Sequence, residues 1–263
     1  MSDLELLSVA IDLLRDGKVI ALCTIIDKEG SGPRSVGAKM IVCEDGSVYG
    51  TIGGGSLERL LINEALRAIK SRRSCVRSFS LGRYEEGDIV TGLICGGRFS
   101  VFIDVIEPKP RLIVMGAGHI ARPLVEIARI VGFEVIVVDD ESDFANRDRF
   151  PNASEIYVKS VDDFFNEFEF KRNDFIVILY GDVHRDYTAL KRALALKLRY
   201  VGLIGSKSKI SSFKGRLKDD GFTDDALRSL YAPIGIDINA ESPEEIAVSI
   251  MAEIIRVFRS GGD

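Results

Sequence analysis

The stretch Arg111-Leu-Ile-Val-Met-Gly-Ala-Gly-His-Ile-Ala121 decides the fold of the second half of this chain. It begins with a continuous apolar run, which is typical of a parallel strand covered on both faces. Gly116 and Gly118 allow a tight turn and a close approach of the backbone to a ligand, and the small Ala121 lets the next helix lie near the strand. The stretch therefore predicts a strand, a turn and a helix whose N-terminus can hold an anionic group.

A second signal is Asp139, which stands 23 residues after Gly116, where the next predicted strand ends. An acid at this place in a dinucleotide-binding unit accepts a hydrogen bond from a ribose hydroxyl. Two other interpretations stay open. Asp139 can cap the following segment, and the turn can belong to a Rossmann-like scaffold that holds no dinucleotide.

Strands and helical patterns alternate along the rest of this half, which predicts an α/β fold with a Rossmann-like, doubly wound parallel sheet. A capping box at Ser242-Pro-Glu-Glu245 begins a last helix, expected to pack on the sheet or in a dimer interface. Strands are predicted at 112–115, 134–138, 155–158, 175–179 and 200–204, and helices at 119–131, 161–168 and 184–198.

A second candidate anion loop is Ile204-Gly-Ser-Lys-Ser-Lys209, which follows the fifth of these strands and begins a helix. Gly205, Ser206 and Lys207 are its predicted phosphate-binding residues, because a glycine, hydroxyls and two lysines meet at a helix start. The spacing is not that of a P-loop. In an open α/β sheet this loop and the Gly116 turn both lie at the carboxyl edge, so they can line one crevice.

The N-terminal half mixes strands with two helices, which predicts an α+β domain. The polar and rigid Glu107-Pro-Lys-Pro110 is the predicted linker between domains at 1–107 and 108–263. A helix is predicted at 3–16 from the spacing of Leu4, Leu7, Ile11 and Leu14, with strands at 19–26, 75–81, 91–95 and 99–106, a loop at 29–34, a hairpin of strands at 38–43 and 47–49, and a glycine turn at 96–97.

Composition excludes several classes of protein. The 263 residues suit two ordinary domains, and the formal net charge of −5 argues against nucleic-acid binding. The acidic first residues show no signal peptide. No apolar run reaches the roughly 20 residues that cross a bilayer. A cytoplasmic protein without a membrane partner is expected.

The run Gly50-Thr-Ile-Gly-Gly-Gly-Ser-Leu-Glu58 predicts a bare backbone loop that begins a helix, with Ser56 as the N-cap. Three consecutive glycines cost conformational entropy on folding, so the run needs a reason. A crowded turn is one reason. A ligand that lies against Gly53, Gly54 and Gly55, with an anion at the helix start, is the other.

The chain has only four cysteines and two histidines, which limits the possible redox and metal chemistry. None of the cysteines has metal-ligand spacing, so no zinc site is expected. Cys95 stands at the end of a predicted strand beside a glycine turn, where a thiol can be accessible. The alternative is an inert, small apolar residue.

Several longer motifs occur in a fixed order along the chain. They are Gly30-Ser-Gly-Pro-Arg34, Gly50-Thr-Ile-Gly-Gly-Gly-Ser-Leu-Glu58, Cys95-Gly-Gly97, Gly116-Ala-Gly-His119, Arg149-Phe-Pro151, Ile204-Gly-Ser206, Ala232-Pro-Ile-Gly235 and Ser242-Pro-Glu-Glu-Ile-Ala-Val-Ser249. In these motifs the chain resembles the xanthine dehydrogenase accessory factor family (XdhC/CoxI) along nearly its whole length. It departs from the family pattern at Tyr180-Gly-Asp-Val-His184, where Thr-His-Asp-His is common, and at Gly32 and Ser35.

The resemblance implies a maturation factor that binds the molybdenum cofactor (molybdopterin carrying molybdenum). Such a factor protects the cofactor while a cysteine desulfurase supplies a sulfido ligand, and it delivers the cofactor to an apo molybdenum hydroxylase of the xanthine dehydrogenase type. A homodimer is expected from family habit. The implied contacts with the pterin–molybdenum end are Gly53, Gly54, Gly55, Ser56 and Cys95, with Arg34 as a further cofactor-binding residue, and those of a nucleotide-like pocket are Gly116, Gly118, His119 and Asp139.

Two other functions remain open from the residues alone. A NAD(P)-dependent oxidoreductase would use the same Rossmann-like half, but it needs a proton donor or acceptor near the nicotinamide. His119 is the histidine close to the glycine turn, and its place suits ligand contact or helix capping better. An adaptor without any small-molecule ligand is the third possibility.

Overall fold

The computed structural model describes residues 1–30, 34–80, 88–90 and 97–260 of the chain. The chain forms two compact units, Met1–Pro108 and Lys109–Asp263. Within the described ranges, no helix has both the length and the apolar character needed to cross a membrane.

The first unit is an α+β domain built on a six-stranded sheet. The strand order is β3-β2-β1-β6-β4-β5, and neighbouring strands are antiparallel except for the parallel pair of β4 and β5. In chain order the elements are α1 (Asp3–Arg15), β1 (Ile20–Gly30), β2 (Lys39–Cys43), β3 (Val48–Gly50), α2 (Ser56–Ser71), β4 (Cys75–Ser80), β5 (Ile89–Val90) and β6 (Gly97–Ile106).

Helix α1 confirms the predicted helix, but of the four residues that predicted it only Leu14 is partly buried. Leu6, Ala10 and Leu13 are buried on the sheet, whereas Leu4, Leu7 and Ile11 are exposed. The helix carries two apolar stripes, and spacing alone does not tell which one meets the sheet.

The strands of the first unit differ from the prediction near the glycines. Strand β1 continues through Glu29 and Gly30, where a loop was predicted, because these residues pair with Arg98 and Gly97 of β6. The predicted turn at 96–97 is therefore wrong for Gly97, which lies within a strand. The predicted strand at 91–95 lies outside the described residues.

The second unit is a Rossmann-type α/β domain, as predicted. Its parallel sheet has the strand order β12-β11-β10-β7-β8-β9, which is the doubly wound order of dinucleotide-binding domains. The elements are β7 (Arg111–Met115), α3 (Ala121–Ile130), β8 (Glu134–Asp139), β9 (Glu155–Val158), α4 (Val161–Glu167), β10 (Phe175–Ile178), α5 (Val183–Ala195), β11 (Tyr200–Leu203), α6 (Lys207–Asp219), α7 (Asp224–Arg228), β12 (Leu230–Tyr231) and α8 (Pro243–Arg259).

Helices cover both faces of this sheet, which explains the apolar strands. One core cluster contains buried side chains of α3 and α8, and the other contains those of α4, α5 and α6. The predicted capping box is present, since the Ser242 hydroxyl accepts from the Glu245 N–H at 3.2 Å and Glu245 accepts from the Ser242 N–H at 3.0 Å. The five predicted strands are confirmed to within a residue at each end. The short β12 and α7 were not predicted.

Replacement of Gly116 by alanine tests how much the second unit depends on its first turn. Gly116 has φ +100°, and a Cβ atom there would stand 2.5 Å from the backbone nitrogen of Tyr180. Gly132 has a similar φ of +95° but open space around the same position. We expect Gly132→Ala to cost about 1–3 kcal/mol of unfolding free energy through backbone strain. Gly116→Ala should cost at least about 2 kcal/mol more, because the backbone must also move.

Chemical denaturation of the two variants measures this difference. Equal unfolding free energies for Gly116→Ala and Gly132→Ala would contradict the close approach at Gly116.

Candidate functional site

The second unit has a crevice at the carboxyl edge of its sheet, where the strand order reverses between β7 and β10. These neighbouring parallel strands lead to opposite halves of the sheet, and ligands of open α/β sheets bind at such a point. The turn after β7 touches the segment after β10, because a Cβ atom on Gly116 would meet Leu179 and Tyr180. Gly118 has open space at the same position, so a ligand can approach its backbone closely.

Asp139 at the end of β8 fixes the turn after β7. Its Oδ2 accepts the N–H of Ala117 at 2.8 Å, and its Oδ1 accepts the N–H of Glu141 at 3.2 Å. The carboxyl group is buried, and burial raises its pKa against the effect of these two hydrogen bonds. The structure therefore places the predicted ribose-binding acid at the crevice, with each oxygen already bonded to a backbone amide.

Arg185 neutralises the acids beside this turn. Its Nη1 lies 2.7 Å from Asp140, 3.4 Å from Glu141 and 3.7 Å from Asp139. These three carboxylates lie within 4.8 Å of one another, close enough to hold a metal ion. The guanidinium group supplies the positive charge that such a cluster needs, and it also stacks on the ring of Tyr180 at 5.1 Å.

Of the two lysines in the second predicted anion loop, the side chain of Lys209 lies at the sheet edge and that of Lys207 does not. Ser206 caps α6 by accepting the Lys209 N–H at 3.3 Å, and Lys207 is exposed. The side chain of Lys209 instead runs over Gly205, where a Cβ atom would stand 3.0 Å from its Cδ, to an ion pair with Asp186. Gly205 lies at the same edge as Gly116, since β7 and β11 are parallel to β10.

Three buried polar atoms in this region have no hydrogen-bond partner. They are the only such side-chain atoms that the described part of the chain contains, and most buried polar groups in proteins are paired. All three residues follow β8 or β10 at the crevice edge, and Arg149 also donates from Nη2 to the carbonyl of Ala117 at 3.1 Å. The atoms are Arg149 Nε, the Tyr180 hydroxyl and Asp186 Oδ1.

The glycine run of the first unit binds an anion from its own chain. The N–H groups of Gly53 and Gly54 donate to Glu58 Oε1 at 3.3 and 2.9 Å, and the Thr51 hydroxyl contacts the same oxygen. Ser56 is not the N-cap. That position belongs to Gly55, which makes no side-chain cap. The predicted cap is wrong because Glu58, in the first turn of α2, takes over the loop amides.

The remaining candidate residues do not meet at one point. His119 and Arg34 are exposed. Cys95 lies outside the described residues, and so do the Leu93 and Ile94 that precede it. Two of the described cysteines are unreactive, since burial raises the pKa of Cys23 to about 12 and also raises that of Cys43.

The helices that follow the two glycine loops differ from the other described helices in their N-caps. Of the eight helices within the described ranges, only α2 and α3 lack a side-chain N-cap. Both follow a glycine loop. Glu58 supplies a negative charge in the first turn of α2. The first turn of α3 contains no acidic residue.

The strand order, the glycine turn and the acid at the end of β8 define a Rossmann-type domain joined to an α+β unit. Comparison with known families gives the same result in more detail. The XdhC Rossmann domain matches residues 112–254, and the XdhC and CoxI family matches residues 13–80. The chain belongs to the XdhC and CoxI family.

Three relatives match large parts of this chain. Escherichia coli YqeB is 35% identical over 90% of this chain, and a Bacillus subtilis protein named as a probable component of xanthine dehydrogenase is 36% identical over 60%. The chain spans only 43% and 46% of these two relatives. The molybdenum cofactor insertion chaperone PaoD of Escherichia coli is 26% identical, over 96% of this chain and 87% of PaoD.

A solved structure agrees with the fold of both units. A protein described as a xanthine dehydrogenase from Bacillus halodurans aligns with all of this chain and 97% of its own, with a TM-score of 0.55 and 27% identity.

Glu58→Ala tests whether this carboxylate holds the glycine loop. Loss of the acceptor should lower the unfolding free energy by about 1–3 kcal/mol, because charged acceptors form the stronger hydrogen bonds. It should also speed amide exchange at Gly53 and Gly54. Glu44→Ala, at an exposed turn of the same unit, is the matched control and should cost no more than about 0.5 kcal/mol. Equal stability and equal exchange in both variants would contradict the role of Glu58.

Proposed function

We propose that this protein binds the molybdenum cofactor and serves in the maturation of a molybdenum hydroxylase of the xanthine dehydrogenase type. The likeness to PaoD carries the proposal, because it extends over nearly all of both chains. Membership of the XdhC and CoxI family points the same way. The protein protects the bound cofactor during sulfuration by a cysteine desulfurase and delivers it to the apo hydroxylase. In this role it is a homodimeric chaperone and not a turnover enzyme.

The crevice of the second unit suits the phosphate or nucleotide end of the cofactor. The turn at Gly116 and Gly118 begins the uncapped helix α3, and uncapped helix N-termini favour anions. Arg149 lies on the carbonyl side of this turn and adds a positive charge. Gly205, Ser206 and Lys207 continue the edge on the other side of β10.

The first unit contacts the pterin–molybdenum end in this proposal. Gly54 and Gly55 have open space where side chains would be, so a flat ring can approach their backbone. Glu58 occupies the loop amides, which makes this loop a poor place for a phosphate. Cys95 is the thiol proposed to face molybdenum.

A dinucleotide is the second candidate ligand of the crevice, in an NAD(P)-dependent oxidoreductase. The strand order and the acid at the end of β8 favour it. Such an enzyme needs a proton donor or acceptor near the nicotinamide, and both histidines of the chain, His119 and His184, are exposed.

Mass and pterin content of freshly purified protein distinguish these ligands. After co-expression with the cofactor pathway, native mass spectrometry should show a bound molybdopterin, and the denatured sample should give pterin fluorescence. Cys95→Ala should lower the pterin content and the sulfuration of the client hydroxylase, while Cys75→Ala should leave both unchanged. A bound dinucleotide mass with no pterin would contradict the proposed function, and equal pterin and sulfuration in Cys95→Ala would contradict the role of Cys95.

A further inference from the structure

The ion pair of Asp186 and Lys209 lies at the carboxyl edge of the second unit's sheet. Asp186 is in the first turn of α5, after β10, and Lys209 is in the first turn of α6, after β11. The carboxylate is 0% exposed, and Lys209 holds only its Oδ2. Its other oxygen, Oδ1, has no hydrogen-bond partner.

A second buried ion pair in the same unit shows how a purely structural carboxylate is satisfied. Asp174 lies at the opposite, amino edge of the sheet, just before β10. Arg111 donates to its Oδ1 at 2.8 Å and to its Oδ2 at 2.7 Å, and the Lys171 N–H adds a third bond at 2.7 Å. Both carboxylate oxygens of Asp174 accept hydrogen bonds, whereas only Oδ2 of Asp186 pairs with a side chain.

An unused oxygen on a buried carboxylate is costly. Removal of an ionised group from water is repaid only when its remaining lone pairs accept hydrogen bonds. Burial raises the pKa of Asp186, and both the ion pair with Lys209 and the backbone N–H of Tyr180 oppose that rise. The fold thus keeps a strong acceptor desolvated beside the crevice without using it, which is typical of a group that meets a ligand.

The neighbours of Asp186 fit a ligand that offers both donors and acceptors. Arg149 Nε can only donate, the Tyr180 hydroxyl can donate or accept, and Asp186 Oδ1 can only accept. Arg149 stands at the β7 and β8 side of the crevice, Tyr180 at its middle and Asp186 at the β10 and β11 side. An anionic group at the first side and an N–H group at the last would pair all three.

We propose that Asp186, held by Lys209, recognises the N–H groups of an amino-substituted nitrogen heterocycle that lies over the β10 and β11 side of the crevice. This inference rests on the proposed function and deepens it. The heterocycle is either the base of a nucleotide attached to the cofactor or the pterin itself, since both present N–H donors along one edge. The second outcome would replace the assignment of the pterin to the first unit.

Two variants separate recognition from structure. In Asp186→Asn the amide oxygen faces Lys209 and the NH2 group replaces the free acceptor. In the double variant Asp186→Leu with Lys209→Met, apolar side chains replace the whole pair, a change that buried ion pairs often tolerate without loss of stability. The matched control is Asp174→Leu with Arg111→Met, which removes the ion pair at the other edge.

Binding is measured for three kinds of probe: 6-hydroxymethylpterin by fluorescence, and cytidine and guanosine monophosphates and inorganic phosphate by calorimetry. Cofactor loading after co-expression is measured alongside. We expect Asp186→Asn and the Asp186/Lys209 double variant to fold, to load less cofactor and to bind one class of heterocycle roughly 10- to 100-fold more weakly. Their affinity for phosphate should stay within about twofold, and the control double variant should bind like the wild type.

The outcomes separate the two proposals. Loss of pterin binding assigns Asp186 to the pterin, and loss of nucleotide binding assigns it to the base. If the wild type loads cofactor and the folded Asp186/Lys209 double variant loads as much, with unchanged affinity for every heterocycle, Asp186 has no recognition role and the proposed function stands. If the wild type loads no cofactor at all, the proposed function fails and the inference fails with it.

Discussion

The close approach of Gly116 to the backbone of Leu179 and Tyr180 is the constraint on which the second unit depends. Because no side chain fits between these segments, the turn after β7 and the segment after β10 meet at the switch point of the sheet. That contact fixes where the crevice lies. The segments that follow β7, β8, β10 and β11 lie at the same edge of the sheet. The unpaired atoms of Arg149, Tyr180 and Asp186 belong to these segments.

The two glycine loops differ in how well they can accommodate an anionic ligand group. In the loop before α2, the N–H groups of Gly53 and Gly54 donate to the carboxylate of Glu58, so these two amides are paired before any ligand binds. In the turn before α3, the N–H of Ala117 donates to Asp139, whereas the backbone of Gly118 stays open to a ligand. Arg185 balances the acids around Asp139 and keeps the entrance from being strongly negative. An anionic ligand group is therefore better accommodated in the second unit than in the first.

The sequence was sufficient for the architecture of the second unit because its signals are local. Apolar runs, glycines at a strand end and the capping box at Ser242 each act within a few residues, and the structure confirms them. Strand β12 was missed because two residues carry no periodicity. The buried face of α1 and the extension of β1 to Gly30 depend on partners elsewhere in the sheet, which no single stretch reveals.

The candidate site was predicted less completely for the same physical reason. Glycine loops and the acid at the end of β8 have sequence signatures, so Gly116, Gly118 and Asp139 were predicted. Asp186 and Lys209 stand 23 residues apart on two helices, and only the fold brings them together. Glu58 belongs to the same motif as the three glycines, but its hydrogen bonds to Gly53 and Gly54 require the loop to fold back on α2.

Amide exchange of cofactor-loaded protein, compared with protein stripped of cofactor, tests most directly whether the crevice of the second unit is the binding site. Exchange should slow at residues 116–121, 180–187 and 205–210, at the carboxyl edge of the sheet, and stay unchanged at 168–174, at its amino edge. Unchanged exchange at the carboxyl edge in protein that carries the cofactor would contradict the account.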